Sequence, residues 1–146
     1  MAKVNTCLHF SGNAEEAFNF YKKVFGTEFI DGIHRFSEIP LMEGQPPLSE
    51  EDKNLVINVQ LPIVGGHLLI GNDTPESMGK LIKGNNVDIC LDVDTRAEAN
   101  KYFNSLSEGG KVEMALQDMS WGAYAYFGAC IDKFGINWVF NCSSKV

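Results

Sequence analysis

The sequence predicts an α+β protein made of two copies of one β-α-β-β-β unit. The order strand, helix, strand, strand, strand can be followed twice along the 146 residues. In each copy the helix carries apolar side chains at helical spacing, and the strands alternate apolar with polar side chains. A repeated unit of this kind indicates two modules of one architecture. We therefore expect a single domain over residues 1–146, with a first module at residues 1–75 and a second at residues 84–146.

The first copy opens with a strand near residues 3–10, in which Cys7 and His9 lie on the face opposite Leu8. Ser11-Gly12-Asn13 predicts a turn and a helix cap, and Gly26 ends the helix that follows. The proline- and acid-rich residues 40–53 predict an exposed loop. Three more strands are expected at residues 28–36, 55–64 and 67–71, followed by a polar connector at residues 72–86.

The second copy repeats this order. An offset of 83 residues matches Cys7 with Cys90 in the first strands, and an offset of 82 matches Ala17 with Ala99 in the helices. The one-residue difference falls at Ser11-Gly12, a suitable position for an inserted turn residue. Its elements are expected at residues 86–93 for the first strand, 96–106 for the helix, and 111–117, 123–131 and 136–141 for the remaining strands.

Charge and composition exclude several classes of partner. Lys and Arg total 12 against 19 Asp and Glu, which gives a formal net charge of −7. Binding to nucleic acid or to an anionic membrane depends on cationic side chains, so we expect neither partner. No apolar run reaches the roughly 18 residues of a membrane span, and we expect no signal peptide. Four cysteines without a CxxC pair indicate reduced thiols and a cytoplasmic protein.

Several segments resemble the vicinal oxygen chelate superfamily, which includes glyoxalase I, bleomycin-resistance proteins and extradiol dioxygenases. The likeness covers essentially the whole chain. It extends to the PhnB-like subgroup, some of whose members are labelled 3-demethylubiquinone-9 3-methyltransferase. The segments that carry it are Phe10-Ser-Gly-Asn-Ala-Glu-Glu-Ala17 with Phe20-Tyr-Lys22, Gln117-Asp118 with Trp121-Gly122, and Asp132-Lys-Phe-Gly-Ile136 with Trp138.

The resemblance implies the glyoxalase/bleomycin resistance/dioxygenase fold, in which the paired mixed sheets enclose a cup. Members of the superfamily commonly form dimers. The edge strands of two open sheets also need to be covered, so we expect a homodimer.

Enzymes of this superfamily typically hold a divalent metal with His, Gln or Glu on the first and last strands of each unit. The resemblance carries those positions onto Asn5 (or Thr6, if the turn has no insertion), Ile70, Asp88 and Val139. Asp88 alone is a good ligand among them, whereas zinc and iron sites need about three protein ligands. We therefore predict no complete metal site and no cofactor.

The methyltransferase label finds no support in the residues. A methyltransferase needs a nucleotide-type site, usually a Gly-rich turn that follows a strand. The pairs Gly65-Gly66 and Gly109-Gly110 are interpreted instead as a hairpin turn and a helix end.

Polar residues on the predicted strands indicate a ligand site in the cup. His9, Asn58, Gln60 and Asp88 each alternate with apolar neighbours that can face a helix, so the polar members are expected to turn inward. Inward-facing polar side chains need partners or solvent, which a wet ligand-holding cavity provides. We predict that these four residues bind a small organic molecule, and we assign no catalytic residue.

Each candidate also has a purely structural interpretation. His9 suits a hydrogen-bonded strand histidine, Asp88 a sheet-edge or dimer contact, and Asn58 and Gln60 a solvated sheet face. Cys7 is expected to pack as a small apolar residue. His34 and His67 fit either face of their strands. Aromatic residues of the second copy are expected in the core or at a dimer contact: Trp121, Tyr124, Tyr126 and Trp138.

Two functions follow from these observations. The first is a PhnB-like protein that binds a small organic ligand in a polar cup without a complete metal site, its activity unassigned. The alternative is a metal-dependent lyase, isomerase or dioxygenase with a rearranged site, for example His9, Asp88 and a residue of a partner chain. The metal content of the purified protein separates the two.

Overall fold

The computed structural model describes residues 1–119 and 125–143. It confirms the predicted α+β fold. The chain divides into two units, Met1–Ile82 and Lys83–Val146, and each has a four-stranded mixed sheet and a 12-residue helix. Two of the aromatic residues considered above, Trp121 and Tyr124, lie outside the described residues. Within the described part of the chain, no helix combines the length and the apolar character that crossing a membrane requires.

In the sheet of the first unit, the last strand lies beside the first strand. The sheet order is β1-β4-β3-β2, with β1 parallel to β4 and the other pairs antiparallel. The elements are β1 (Thr6–Phe10), α1 (Ala14–Phe25), β2 (Ile33–Arg35), α2 (Glu50–Lys53), β3 (Val56–Pro62) and β4 (Leu68–Asp73).

The second unit has the same topology. Its sheet order is β5-β8-β7-β6, and β5 is again parallel to the closing strand. The elements are β5 (Ile89–Val93), α3 (Arg96–Ser107), β6 (Lys111–Asp118), β7 (Tyr126–Ile131) and β8 (Asn137–Cys142).

The first strands of the two units match residue by residue. β1 and β5 each have five residues and the same sequence of exposed and buried positions. Cys7 and Cys90 are exposed, while Leu8 and Leu91 are buried against the helix side. The predicted packing of Cys7 as a small apolar residue is therefore wrong, because the alternation turns it away from the helix.

The hairpins before the closing strands also match. Ile63 N–H donates to His67 O at 2.8 Å, and Asp132 N–H donates to Ile136 O at 2.9 Å. These two turns align β4 with β8 at an offset of 69 residues. We use this offset below to identify equivalent positions on the closing strands.

Helix α1 covers one face of the first sheet. Phe18 and Tyr21 are fully buried, with their rings edge to face and 5.7 Å between centroids. A Cβ atom on Gly71 of β4 would lie 2.1 Å from the Phe18 ring. Glycine is thus required at this position because the helix approaches the strand so closely. The same contact shows that Leu69, Gly71 and Asp73 face α1, since alternate residues of a strand share a face.

In the second unit, the strand position equivalent to Gly71 carries a large side chain, whereas the helix position equivalent to Phe18 does not. Phe140 of β8 is equivalent to Gly71, and it is fully buried edge to face against Phe103 of α3, 5.3 Å between centroids. The α3 position equivalent to Phe18 is Asn100, which is exposed. Each unit thus has two aromatic rings in this interface, and one of them comes from the helix in the first unit (Phe18) and from the strand in the second (Phe140).

Two elements of the first unit have different boundaries in the structure from those predicted, and each difference has a local cause. The strand expected at residues 28–36 is reduced to β2, because Asp31 and Gly32 have φ angles of 59° and 74° that interrupt the extended backbone. The loop expected at residues 40–53 ends in the short helix α2, which begins where Ser49 Oγ accepts from Asp52 N–H at 3.0 Å.

The start of α1 is not capped as predicted. Asn13 occupies the N-cap position but makes no side-chain hydrogen bond to the helix. Asp73, which is 1% exposed, accepts instead from the N–H groups of Gly12, Ala14 and Val56 at 2.9, 3.0 and 3.0 Å. This buried carboxylate joins the end of β4 to the beginnings of α1 and β3, and it satisfies donors that burial would otherwise leave unpaired.

Candidate functional site

The face of the first sheet that points away from α1 is polar. Strand pairing places His9 opposite Asn72, and Ile70 opposite both Cys7 and Gln60. All of these positions are half-buried or exposed, whereas the alternating positions toward α1 are buried. We call this side the first open face, and it carries Cys7, His9, Asn58, Gln60, Ile70 and Asn72.

Two side-chain pairs organise the first open face. His9 Nδ1 lies 2.5 Å from Asn72 Oδ1 across β1 and β4. On β3, Gln60 Nε2 donates to Asn58 Oδ1 at 3.3 Å. Because β1 and β3 flank β4 and neighbouring strands are roughly 4.8 Å apart, the two pairs span about 10 Å. This span matches the size of a small organic molecule.

His34 lies beside this polar set but is held by acidic neighbours. It is opposite Asn58 in the β2–β3 pairing. Its Nδ1 is 3.0 Å from Glu38 Oε1, and its Nε2 is 3.1 Å from Asp31 Oδ2. The hydrogen bond with Glu38, followed by that with Asp31, raises the pKa of His34 above its ordinary value. Both ring nitrogens are engaged with carboxylates, so His34 is held at the sheet edge and forms an ion pair when its ring is protonated.

His67 is also engaged, since its Nε2 lies 2.8 Å from Thr6 Oγ1. Neither His67 nor Thr6 belongs to the first open face, so among the three histidines it is His9 that lies on it.

The second unit has an equivalent open face of different chemistry. Asp88, just before β5, and Cys90 and Asp92 within it are exposed. Asp92 is paired with Asn141 of β8, whose Nδ2 donates to Asp92 Oδ1 at 2.9 Å. Asn141 is 7% exposed, and within the described residues its Oδ1 has no hydrogen-bond partner. By the offsets given above, Asp92 and Asn141 are equivalent to His9 and Asn72.

The exposed thiols are poorly suited to nucleophilic chemistry. Partial burial raises the pKa of Cys7 above its ordinary value. Partial burial, followed by the charges of Asp92 and Asp88, raises the pKa of Cys90. The thiolate is the reactive form of cysteine, and raised pKa values keep both groups as thiols at neutral pH.

The positions at which the superfamily holds a metal do not fit one here. Ile70 and Val139 present aliphatic side chains on the closing strands, opposite Cys7 and Cys90 respectively. Asp88 is exposed. Within residues 1–119 and 125–143, no three His, Cys, Asp or Glu side chains come together in a way that could hold a metal ion.

The glycine pairs have the predicted structural roles. Gly65 and Gly66, with φ angles of 68° and 78°, lie in the hairpin between β3 and β4. Gly109, with a φ angle of 75°, follows the end of α3. Neither pair follows a strand and opens a helix, which is the arrangement that binds a nucleotide pyrophosphate.

The structure thus places three of the four predicted ligand residues on one surface. His9, Asn58 and Gln60 share the first open face. Asp88 belongs to the second unit, and its convergence with the other three stays a prediction.

Sequence reasoning missed Asn72 and Asn141. The predicted strand ends at Gly71 and leaves Asn72 in a connector, whereas β4 continues to Asp73. Extending the alternation Leu68, Ile70, Asn72 by one step would have placed it on the same face as Ile70.

A separate cleft of about 800 Å³ lies in the first unit beside the start of α1. Residues of loops and of α2 line it, and none of the predicted ligand residues is among them. Its walls include Ser11, Ser49, Leu55, Thr74 and Lys80.

Comparison with known proteins supports the architecture. Protein PA1353 of Pseudomonas aeruginosa is 30% identical and superimposes with a TM-score of 0.81, over 97% of this chain and 98% of that one. A putative 3-demethylubiquinone-9 3-methyltransferase, PhnB protein, from Bacillus cereus is 25% identical with a TM-score of 0.72, over 97% and 99% of the two chains.

A glyoxylase/bleomycin resistance protein/dioxygenase domain from Frankia shares the fold alone. It is 11% identical, with a TM-score of 0.61 over 97% of this chain and 98% of that one. The predicted superfamily fold is therefore confirmed.

The family described as 3-demethylubiquinone-9 3-methyltransferase matches residues 2–140, which is nearly the whole length of both units. The match includes the whole first open face and the glycine pairs discussed above. The predicted PhnB-like subgroup is therefore confirmed, and the chain belongs to this family.

Proposed function

We propose that the protein binds a small polar organic molecule on the first open face, through His9, Asn58 and Gln60. The observation that carries the proposal is the placement of these three side chains, with Asn72, on one face within about 10 Å. A few converging polar groups beside an apolar wall are the usual composition of a small-molecule site. Ile70 and the hydrocarbon part of Gln60 supply apolar surface at its centre.

Asp88, which belongs to the second unit, stays a predicted ligand residue beside this proposal. It precedes β5 on the same alternation as the exposed Cys90 and Asp92. A carboxylate there accepts hydrogen bonds, whereas the amides on the first open face both donate and accept.

The homodimer proposed from the open edge strands is tested by sedimentation, and a pure monomer at micromolar concentration would refute it.

The methyltransferase description of the family does not determine the activity of this chain. Methyl transfer requires a bound methyl donor, and the glycine pairs form turns at which no nucleotide site is built. We therefore propose ligand binding as the function and assign no reaction.

A fragment screen followed by amide NMR on the isotopically labelled full chain tests the proposal. Small molecules that carry hydroxyl and carbonyl groups are expected to shift the backbone amides of β1, β3 and β4. Asn58→Ala and Gln60→Ala should each weaken such binding about tenfold, the effect of losing one well-placed hydrogen bond.

Asn19→Ala is the matched control, because Asn19 is an exposed amide on the outer side of α1. It should leave the affinity unchanged. Ligands that shift amides elsewhere, or that bind Gln60→Ala as tightly as the natural protein, would contradict the proposal.

Metal content separates this function from a metal-dependent one. Purified protein is expected to contain far less than one equivalent of Zn, Fe, Mn or Ni by elemental analysis, because Ile70 and Val139 are aliphatic where ligands are needed. A stoichiometric metal that is lost on His9→Ala or Asp88→Ala would overturn this expectation.

A further inference from the structure

The contact between His9 and Asn72 bears on which nitrogen of the imidazole ring carries the proton, as well as on the position of the ring. His9 Nδ1 faces the carbonyl oxygen of Asn72 at 2.5 Å. A carbonyl oxygen accepts hydrogen bonds but cannot donate them, so Nδ1 must carry a proton for this contact to be attractive. In a neutral imidazole the other nitrogen, Nε2, then bears a lone pair.

We infer that Asn72 holds His9 as the Nδ1–H tautomer and thereby presents Nε2 as a hydrogen-bond acceptor to a hydroxyl-bearing small molecule on the first open face. This inference rests on the proposed function, since it names the chemical class of the ligand. A hydroxyl group is the ligand feature that an Nε2 acceptor selects, because it donates a hydrogen bond.

The remaining polar groups on this face complement such a ligand. Gln60 Nε2 donates to Asn58 Oδ1, which leaves the Asn58 amide hydrogens as donors and Gln60 Oε1 as an acceptor. A molecule with a hydroxyl at His9 and a carbonyl or second hydroxyl about 10 Å across the face therefore meets a partner at each end. Ile70, between the two pairs in the register, provides an apolar contact for its skeleton.

Asn72 acts here as a positioning residue, since it works through His9. The equivalent amide in the second unit shows that the orientation depends on its neighbour: Asn141 turns its Nδ2 toward the carboxylate of Asp92. An asparagine at this register position thus donates to an acidic partner and accepts from a histidine.

Long-range proton–nitrogen NMR of the full chain tests the inference without a known ligand. Protonated and unprotonated ring nitrogens of neutral histidine resonate at well-separated positions. The chain has three histidines, so His34→Gln and His67→Gln variants assign the signals. At pH 8 we expect His9 to show a protonated Nδ1 and an unprotonated Nε2. A protonated Nε2 in the natural protein would overturn the inference.

Three variants separate positioning from a merely structural role. Asn72→Ala should return His9 to a mixture of tautomers, whereas Asn72→Asp should keep the Nδ1–H tautomer because it retains an accepting oxygen. Asn58→Ala should leave the tautomer unchanged, since Asn58 does not contact His9. An unchanged tautomer in Asn72→Ala would refute the role of Asn72.

Phenol and anisole serve as matched probes of the ligand class. Phenol has a hydroxyl donor and anisole has the same ring without one. Phenol at saturating concentration is expected to shift the His9 Nε2 resonance, and anisole is expected not to. Equal effects of the two would overturn the hydroxyl specificity.

The outcomes also distinguish this inference from the proposed function. If the tautomer is wrong but Gln60→Ala still weakens fragment binding, the ligand site stands and this inference fails. If the tautomer is as expected but fragments bind elsewhere, the proposed function fails.

Discussion

The two units begin their helices at equivalent positions but stabilise those helix starts in different ways. In the first unit, Asp73 reaches the start of α1 from the end of β4, about 60 residues away in sequence. In the second, a local capping box does the same work: Thr95 Oγ1 accepts from Glu98 N–H at 3.2 Å, and Glu98 Oε2 accepts from Thr95 N–H at 3.2 Å. One helix start thus depends on tertiary structure and the other on sequence neighbours.

A second buried aspartate lies in the hairpin of the second unit. Asp132 is 3% exposed and accepts from Phe134 N–H at 2.8 Å, Ile136 N–H at 3.1 Å and Trp138 Nε1 at 2.8 Å. The equivalent residue of the first unit is Ile63, and both Ile63 and Leu69, the counterpart of Trp138, are buried and apolar. The hydrogen-bonded pair Asp132 and Trp138 of the second unit therefore occupies the positions that the apolar residues Ile63 and Leu69 occupy in the first.

This comparison teaches that a shared topology does not require shared polar contacts. Among the described residues, each unit has a buried aspartate that accepts from at least three N–H donors, but at different places in the fold. The local solution should tolerate change better than the long-range one, because donors close in sequence can rearrange with their acceptor.

The largest expected effect is that of Asp73→Ala. It leaves three N–H groups from two separate segments without an acceptor, and each unsatisfied buried donor costs about 1–3 kcal/mol. We expect a loss of roughly 4 kcal/mol in the free energy of unfolding, measured by urea denaturation. Asp94→Ala, an exposed aspartate before α3, is the control and should change stability by less than about 0.5 kcal/mol. A loss below about 1 kcal/mol for Asp73→Ala would refute the tertiary cap.

Asp132→Ala is expected to cost less, roughly 3 kcal/mol. The donors at Phe134, Ile136 and Trp138 lie two to six residues away, so the hairpin can relax around the loss. Trp138 fluorescence should change as well, because the indole N–H loses a buried acceptor. An effect larger than that of Asp73→Ala would contradict the distinction between local and long-range acceptors.

The two N-cap positions provide a sharper test. Thr95→Ala should destabilise by about 1 kcal/mol, the usual cost of losing a capping side chain. Asn13→Ala should change stability by less than about 0.5 kcal/mol, because Asn13 makes no side-chain capping bond. Thermal and urea unfolding of both variants measure the difference. Equal losses in the two would show that Asn13 caps α1 after all.

The smallest expected effect depends on pH and belongs to the first unit, which contains all three histidines. Glu38 and Asp31 raise the folded-state pKa of His34 above its usual 6.5. The ion pair therefore stabilises the protein fully below the unfolded pKa, and this contribution is lost as pH rises through the folded pKa. The melting temperature should fall slightly over that window. His34→Asn should flatten the profile, and an unchanged profile would show that the ion pair contributes nothing.

Much of the fold was predictable because it depends on periodicity. The alternation around Leu8 and Leu91 correctly predicted which sides of β1 and β5 are buried, and helical spacing correctly predicted α1 and α3. The same alternation predicted that His9, Asn58 and Gln60 share a face. Strand ends were less predictable. The predicted strand ends at Gly71, before β4 does, so Asn72 was not recognised as a residue of the first open face.

The repeated unit and the polar sides of the strands could be predicted from the residues alone, because they depend on residue type and on spacing along the chain. The lack of ligands at Ile70 and Val139 followed from the resemblance to the superfamily. Tertiary structure decided that Asp73 caps α1, that Phe18 requires glycine at residue 71, and that His9 meets Asn72. The physical reason is that these contacts join groups more than 50 residues apart, whose distance depends on strand pairing and helix packing and not on local periodicity.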